Sequence, residues 1–253
     1  MWRTRVIPTL LLHRGGLVKT ERFRKPKYVG DPINAARIFN EKEVDELVVL
    51  DIGATVEGRE PDMRRIEELA GECFMPLAYG GGIRTLEQVG RILTVGIEKV
   101  VLNSVLASNP AVVSEASRMA GSQSVVVSID ARRRWWGAYR TYTRGGRTST
   151  GLHPVEAAKR AEDLGAGEIL LTSIDREGTY RGYDLELIAA VSSAVTIPVV
   201  ACGGARQIDD LAAAIGAGAS ASAAGSLFVF NGPHRAVLIS FPDPAVLKEK
   251  LAS

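Results

Sequence analysis

The chain has 253 residues, of which 46% are hydrophobic and 24% charged, and its formal net charge at pH 7 is +2. This composition is typical of a globular protein, and the length predicts one domain over residues 1–253. The small net charge argues against a nucleic acid or a membrane surface as partner, and the apolar runs are too short to cross a bilayer. Cys73 and Cys202 form neither a metal-binding spacing nor a disulfide framework, so we expect a cytoplasmic protein with no metal and no cofactor.

Eight short apolar runs, most of them rich in Val, Ile and Leu, alternate along the chain with amphipathic stretches, a pattern typical of parallel βα units. The predicted strands are residues 5–12, 46–51, 75–79, 99–103, 124–130, 168–173, 198–202 and 219–224. The predicted helices include residues 31–41, 61–72, 86–95, 109–120, 154–164, 184–194 and 208–215. The eighth strand is almost entirely Ala and Ser, and it is assigned from its place in the series. Eight such units in a chain of this length predict an α/β fold, the (β/α)₈ or TIM barrel.

An internal repeat relates the two halves of the chain. Residues 75–82 read Met-Pro-Leu-Ala-Tyr-Gly-Gly-Gly and answer to residues 197–204, Ile-Pro-Val-Val-Ala-Cys-Gly-Gly, at an offset of 122. The same offset relates Ser104 to Ser226, and an offset of 119 relates the first predicted strand to the fifth. The repeat therefore predicts a barrel built from two half-barrel repeats.

Small, glycine-rich turns follow four of the predicted strands, two in each half. They contain Gly81 and Gly82, Asn103 and Ser104, Gly203 and Gly204, and Gly225 and Ser226. Glycine lets backbone N–H groups approach an anion closely, and the loops after strands seven and eight of this barrel commonly bind phosphate. The repeat therefore predicts two pseudo-symmetric phosphate sites for a phosphorylated small-molecule substrate. The alternative interpretation is that these glycines only make tight turns.

Four charged residues, two of each sign, stand at the starts of predicted strands. They are Arg5, Glu46, Lys99 and Glu168. Side chains alternate along a strand, so the four would form a balanced ring at the bottom of the barrel if their faces point inward. Four separately solvated charges at strand ends are an equally open interpretation.

The candidate catalytic residue is Asp130, at the end of the fifth predicted strand. It is expected to act as a catalytic or orienting acid, and the alternative is a carboxylate that caps the following turn. The repeat places Leu11, not a second acid, opposite Asp130. Lys19 lies in a basic segment, residues 13–30, which is predicted as a loop: either a mobile lid over the substrate or a solvated loop. After the sixth strand, Glu177 and Gly178 are suited to ribose or amine contacts.

Together these residues resemble the cyclase subunit of imidazole glycerol phosphate synthase over nearly the whole chain. The resemblance is carried by residues 5–8, 30–32, 45–48, 50–52, 80–84, 129–130, 165–176 and 182–187. It implies a lyase-class subunit of a glutamine amidotransferase complex, with a glutaminase subunit docked at the N-terminal face of a duplicated barrel and ammonia passing through the barrel to the top. It also implies that the four strand-start charges gate this passage. The substrate contacts that the resemblance implies are Lys19, Gly82, Asn103, Asp130, Thr172, Gly203, Gly204, Gly225 and Ser226.

The chain departs from that family at three positions: Leu11 in place of a second catalytic aspartate, Glu177 in place of Asp, and Cys202 in place of Ser. With the ending over residues 228–240, these departures resemble a paralogous branch associated with acetamidino modification of bacterial surface sugars in lipopolysaccharide biosynthesis. That branch implies delivery of ammonia to a separate amidating enzyme. Two alternatives are a true cyclase of histidine biosynthesis, using Asp130 alone or with Lys19 or Glu177, and a catalytically silent scaffold that activates its glutaminase. Whether the chain is itself an enzyme stays open.

Overall fold

The computed structural model describes residues 4–135, 137–232 and 234–251. Eight parallel strands close into a barrel, each hydrogen-bonded to the next and the eighth to the first. They are β1 (Arg5–His13), β2 (Leu47–Asp51), β3 (Leu77–Gly80), β4 (Lys99–Leu102), β5 (Val125–Arg133), β6 (Glu168–Ser173), β7 (Val199–Cys202) and β8 (Ala221–Ala224). The predicted (β/α)₈ barrel is confirmed, including its Ala- and Ser-rich eighth strand.

A helix of eight or more residues follows each barrel strand. The eight are α1 (Pro32–Glu41), α2 (Met63–Glu72), α3 (Leu86–Thr94), α4 (Ala111–Ala120), α5 (Pro154–Asp163), α6 (Leu185–Ser192), α7 (Ile208–Gly216) and α8 (Pro244–Leu251). Side-chain caps fix several of their starts. Asp31 accepts a hydrogen bond from Asn34 N at 2.9 Å before α1, and Asp62 accepts one from Arg65 N at 3.2 Å before α2. No helix of the described residues combines the length and the apolarity needed to cross a membrane.

Additional short elements lie at the top of the barrel, where the strands end. The strands are Gly16–Glu21, Arg24–Gly30, Tyr139–Thr143, Thr148–Ser149, Phe230–Asn231 and Ala236–Val237, and the short helices are Ala54–Glu57, Ser104–Ser108 and Ser226–Val229. A 3₁₀ turn, Ser122–Ser124, precedes β5.

The loop predicted over residues 13–30 was wrong. These residues form an antiparallel β-hairpin, and its first strand pairs with the end of β1, Leu11 opposite Val18. Burial explains the difference, because Leu17 and Val18 pack into the protein although the segment is rich in basic residues. A similar pairing extends β5 three residues beyond its predicted end, since Ala131 lies opposite Thr141 of the strand Tyr139–Thr143.

Side-chain alternation gives the barrel two apolar layers. One set of strand residues packs outward against the helices, and the other fills the interior. The inner apolar cluster consists of Ile7, Val48, Ala78, Val101, Val126, Leu170, Val200, Ala221 and Ala223. The inward face of each strand extends beyond this cluster toward both ends of the barrel. The charged residues at the strand starts therefore lie below the cluster, and the polar residues at the strand ends lie above it.

Candidate active site at the carboxyl ends of the barrel strands

A cavity of about 490 Å³ opens at the top of the barrel. Every residue predicted to be catalytic or to contact substrate lines it: Lys19, Gly81, Gly82, Asn103, Ser104, Asp130, Thr172, Glu177, Gly178, Gly203, Gly204, Gly225 and Ser226. Contributions come from all eight strand ends and from the hairpin after β1. The arrangement matches the usual place of ligand binding in this barrel.

The glycine turns after β3 and β7 each contain two glycines with positive φ angles. The φ angles of Gly81 and Gly203 are 117° and 93°, and those of Gly82 and Gly204 are 76° and 115°. These angles lie in the left-handed region that favours glycine. A side chain is also excluded at these positions, because a Cβ on Gly81 would overlap the Asp51 carbonyl and one on Gly204 would overlap the Gly182 carbonyl. Gly82 N donates to Thr55 Oγ1 at 3.2 Å, so an anion at the turn after β3 would bind to the other backbone N–H groups of that turn. Both turns line the cavity wall, where such groups can bind an anion.

Asp130 presents a buried carboxyl group to the cavity. Ser128 Oγ donates to its Oδ1 at 3.4 Å, and Asn103 Nδ2 donates to its Oδ2 at 3.2 Å. Burial raises the pKa of Asp130 to about 7; the Ser128 hydroxyl opposes this shift and the charge of Glu177 adds to it. A carboxyl group with this pKa exists in both protonation states near neutral pH, so it can donate or accept a proton.

Lys19 enters the cavity from the hairpin and is only 4% exposed. Its Nζ donates to the backbone carbonyl of Thr9 at 2.7 Å, and a Cβ on Gly225 would overlap that Nζ. Burial lowers the pKa of Lys19 to about 8, while the charge of Glu177 opposes the shift. The side chain therefore carries a positive charge at neutral pH and can attract an anionic group.

Glu177 ties the loop after β6 to the tip of the hairpin. It accepts hydrogen bonds from Thr20 Oγ1 at 3.0 Å and from Phe23 N at 3.3 Å. Arg22 and Phe23 form the tip with φ angles of 52° and 62°, a conformation that is costly for residues with a Cβ. Burial raises the pKa of Glu177, and these hydrogen bonds and the charge of Lys19 oppose the rise.

Leu11 lines the cavity where a second acid would complete an acid–base pair. It belongs to β1, and Asp130 belongs to β5, four strands away in a ring of eight. Leu11 pairs with Leu50 of β2, so two leucines lie next to each other in this part of the cavity lining. Leucine can neither donate nor accept a proton, so Asp130 faces no second acid from β1.

The four strand-start charges form one network, the charged ring, at the bottom of the barrel. Arg5 bonds to both Glu46 and Glu168, and Lys99 Nζ lies 2.8 Å from Glu46 Oε2 and 2.9 Å from Glu168 Oε2. The two carboxylate side chains are only 4% and 7% exposed. Burial opposes the charge of Arg5, but the hydrogen bonds and charges of Glu168 and Glu46 outweigh it and raise its pKa. The charges are thus paired with one another rather than separately solvated.

Sequence reasoning missed several polar residues of the cavity, among them Thr9, His13 and Ser128. Their signal was the alternation of strand residues, because Ser128 stands two residues before Asp130 and Thr9 two before Leu11. Cys202 also lines the cavity. Burial raises the pKa of its thiol to about 11, against the effect of a hydrogen bond with Thr172, so it is a thiol at neutral pH.

Metal binding finds no support in the part of the chain that the structure describes. There, no three His, Cys, Asp or Glu side chains are grouped so that they could hold an ion.

Residues 5–233 match the sequence model of a family described as histidine biosynthesis protein. The chain is 52% identical over 244 residues (96% of this chain, 97% of the relative) to a Pseudomonas aeruginosa protein provisionally named imidazole glycerol phosphate synthase subunit hisF2. It is 50% identical over 245 residues (96% of each) to a provisionally named HisF subunit of Leptospira interrogans. It is 46% identical over 228 residues (90% of each) to imidazole glycerol phosphate synthase subunit HisF of Alkaliphilus metalliredigens. The chain therefore belongs to the histidine biosynthesis protein family and is a member of its HisF-type branch.

Proposed function

We propose that this chain is a HisF-type synthase subunit that takes ammonia from a glutaminase partner, conducts it through the barrel and delivers it for amidination of a nucleotide-activated amino sugar. In that reaction an acetamido group becomes an acetamidino group during surface polysaccharide biosynthesis, with a separate amidating enzyme as the second partner. The observation that carries the proposal is Leu11, which leaves Asp130 without an opposing acid while the anion-binding turns and the charged ring are present.

The barrel interior supports the transport step. The inner apolar cluster lies between the charged ring and the cavity, and an apolar lining disfavours ammonium much more than neutral ammonia. The charged ring joins strands β1, β2, β4 and β6 at the face where the proposed glutaminase docks. Rearrangement of its ion pairs would connect that partner with the interior.

The cavity supports binding of a phosphorylated substrate. The turns after β3 and β7 offer two similar backbone cradles, and Lys19 adds a buried positive charge close to the β8 turn. Phosphate groups bind well to such backbone nests beside a fixed charge. A small molecule with two separate phosphate ends would occupy both cradles, whereas the pyrophosphate of a sugar linked to a nucleotide would occupy one of them.

A second candidate function is the cyclase reaction of imidazole glycerol phosphate synthase in histidine biosynthesis. It converts a ribulosyl-carboxamide ribotide and ammonia to imidazole glycerol phosphate and aminoimidazole carboxamide ribotide. The observation that favours it is the pKa of Lys19, about 8, in the cavity that holds Asp130. Lys19 could supply the proton transfer that Leu11 cannot.

Turnover of the ribulosyl-carboxamide ribotide with ammonium salt separates the two candidates. We expect the purified chain to show no turnover above the level of Asp130→Asn, while the complete system with glutaminase, amidating enzyme and acetamido sugar forms product. Robust turnover that is lost in Asp130→Asn would overturn the amidination proposal. Substitution of Lys19 then shows whether Lys19 supplies the second proton transfer or Asp130 acts alone.

The transport step is tested by Lys99→Ala in the complex with the glutaminase. Product formed from glutamine should fall, while product formed from added ammonium salt should stay close to the wild-type level. Lys250→Ala is a matched control, because Lys250 forms an exposed ion pair with Asp209 far from the charged ring. Unchanged product from glutamine in Lys99→Ala would mean that the chain acts only as a scaffold for the glutaminase.

A further inference from the structure

Thr9 presents a buried hydroxyl group for which the described part of the chain supplies no hydrogen-bond partner. The residue is 5% exposed and lines the cavity, and its Oγ1 has no partner among the described residues. Other polar side chains of the cavity are hydrogen-bonded, since Ser128 Oγ donates to Asp130 and Asn103 Nδ2 donates to the Ser128 carbonyl at 2.9 Å. His13 Nδ1, at the end of the same strand, also has no partner among the described residues. Buried polar groups are nearly always hydrogen-bonded, so an orphaned hydroxyl at a cavity wall indicates a ligand that completes it.

The position of Thr9 on β1 gives that ligand a direction of approach. Arg5 belongs to the charged ring, Ile7 to the inner apolar cluster, and Thr9 follows on the same inward face. Leu11 then lines the cavity above. Thr9 is therefore the first polar side chain that β1 presents to a molecule moving upward from the charged ring.

The surroundings of Thr9 select a small, neutral molecule with hydrogen-bond donors. Ile7 and Leu11 flank it along the strand, and an apolar setting disfavours a charged ligand. The ammonium group of Lys19 is bonded to the carbonyl of Thr9 itself at 2.7 Å and would repel a cation placed nearby. Ammonia has three N–H donors and one lone pair, so it can donate to the hydroxyl oxygen or accept a hydrogen bond from the hydroxyl hydrogen.

We propose that the Thr9 hydroxyl forms a hydrogen bond with ammonia and holds it where the apolar interior opens into the cavity. Thr9 is thus a positioning residue, with no part in bond making or proton transfer. The inference rests on the proposed function, because it requires ammonia to travel through the barrel.

The test measures KM for neutral ammonia, calculated from total ammonium at each pH, and kcat in whichever of the two candidate reactions the wild-type chain supports. Thr9→Val removes the hydroxyl with little change of shape, and Thr9→Ser retains it. We expect Thr9→Val to raise KM for ammonia by about twofold to tenfold, the range that one neutral hydrogen bond represents. The KM for the phosphorylated substrate and kcat at saturating ammonia should stay near wild type, and Thr9→Ser should recover the wild-type KM for ammonia.

Ser192→Ala is the matched control. Ser192 Oγ is likewise buried without a partner among the described residues, but it lies on α6 and outside the cavity lining. Its kinetic constants should equal those of wild type, and Thr9→Val should unfold at no lower temperature than wild type, because it removes an unsatisfied group. An unchanged KM for ammonia in Thr9→Val, or the same increase in Thr9→Ser, overturns the inference. A wild-type chain that uses ammonia in neither reaction would instead overturn the proposed function.

Discussion

Leu11 and Asp130 line the same cavity from strands β1 and β5, which stand on opposite sides of the barrel. One side chain can exchange a proton near neutral pH, and the other has no polar atom. Both halves of the barrel have a glycine turn at the cavity, but only the half that contains Asp130 has a side chain on this pair of strands that can act as an acid or base on a bound substrate. This difference separates the binding capacity of the cavity from its catalytic capacity.

Restoring the second acid is the most direct test of this separation. Leu11→Asp should increase turnover of the ribulosyl-carboxamide ribotide with ammonium salt by at least about tenfold, within the range that general acid–base catalysis contributes. Leu11→Asn is the control, because it adds polarity and hydrogen bonds without a group that titrates. Equal rates for the two variants would show that the missing acid is not what limits this reaction.

Asp130 should make the protein less stable as the pH rises from about 4 to about 7. Its pKa is raised from 3.8 to about 7 by burial, so in this interval the folded chain binds a proton that the unfolded chain has lost. The stability that proton binding contributes is fully present below the unfolded-state pKa of 3.8, and it is lost as the pH rises through the folded-state pKa of about 7. Asp130→Asn removes this pH dependence. As the pH rises from about 4 to about 7, the unfolding free energy of wild type should therefore fall relative to that of Asp130→Asn by a few kcal/mol, on the order of 1.4 kcal/mol for each unit of pKa shift.

Urea denaturation of wild type and Asp130→Asn at pH 5, 6, 7 and 8 measures this difference. Other groups titrate in the same range, and those that do not interact with Asp130 contribute equally to both proteins and cancel. Parallel stability curves from pH 5 to 8 would contradict the raised pKa of Asp130.

Lys19 should make anion binding weaken above pH 8. Its pKa is lowered from 10.5 to about 8 by burial, so the ligand-free protein loses this charge at a pH where an exposed lysine keeps it. Sulfate is the appropriate probe, because its charge is constant over this range. The Kd for sulfate should rise by about tenfold to thirtyfold from pH 7 to pH 9.5 in wild type, because a hydrogen bond to a charged group contributes about 1.5–3 kcal/mol.

Lys19→Met supplies the comparison for sulfate binding. This variant should bind sulfate weakly at pH 7 and show little further change at pH 9.5. A sulfate affinity that falls equally in both proteins would assign the pH dependence to other groups.

The residues that sequence reasoning located are those whose positions depend on local periodicity. Alternation along their strands predicted a ring that contains Arg5 and Lys99 if their faces point inward, and a repeat of constant offset related Gly81 to Gly203. The hairpin over residues 16–30 was missed, because its basic residues concealed two buried positions. The bond from Phe23 to Glu177 joins residues 154 positions apart, and no local pattern contains it. The sequence also could not predict that the Thr9 hydroxyl has no partner among the described residues, because this depends on every residue that surrounds it in the folded protein.

Gly204 provides a test of the anion-binding turns through the backbone alone. Its φ of 115° and the overlap of an added Cβ with the Gly182 carbonyl predict that Gly204→Ala strains the turn after β7. We expect a loss of at least about 1 kcal/mol in unfolding free energy, because alanine is disfavoured where φ is positive, together with a clear loss of sulfate affinity.

Gly216→Ala is the matched control: Gly216 ends α7, an added Cβ meets nothing within 4 Å, and its φ is not in the left-handed region. That variant should gain up to about 1 kcal/mol from the lower backbone entropy of its unfolded state and bind sulfate like wild type. Chemical denaturation measures the stability of the two variants, and calorimetric titration measures their affinity for sulfate. If only Gly204→Ala is both less stable and weaker in sulfate binding, the turn after β7 contributes to stability and to anion binding. A Gly204→Ala protein that keeps wild-type sulfate affinity would remove the turn after β7 from the phosphate-binding machinery.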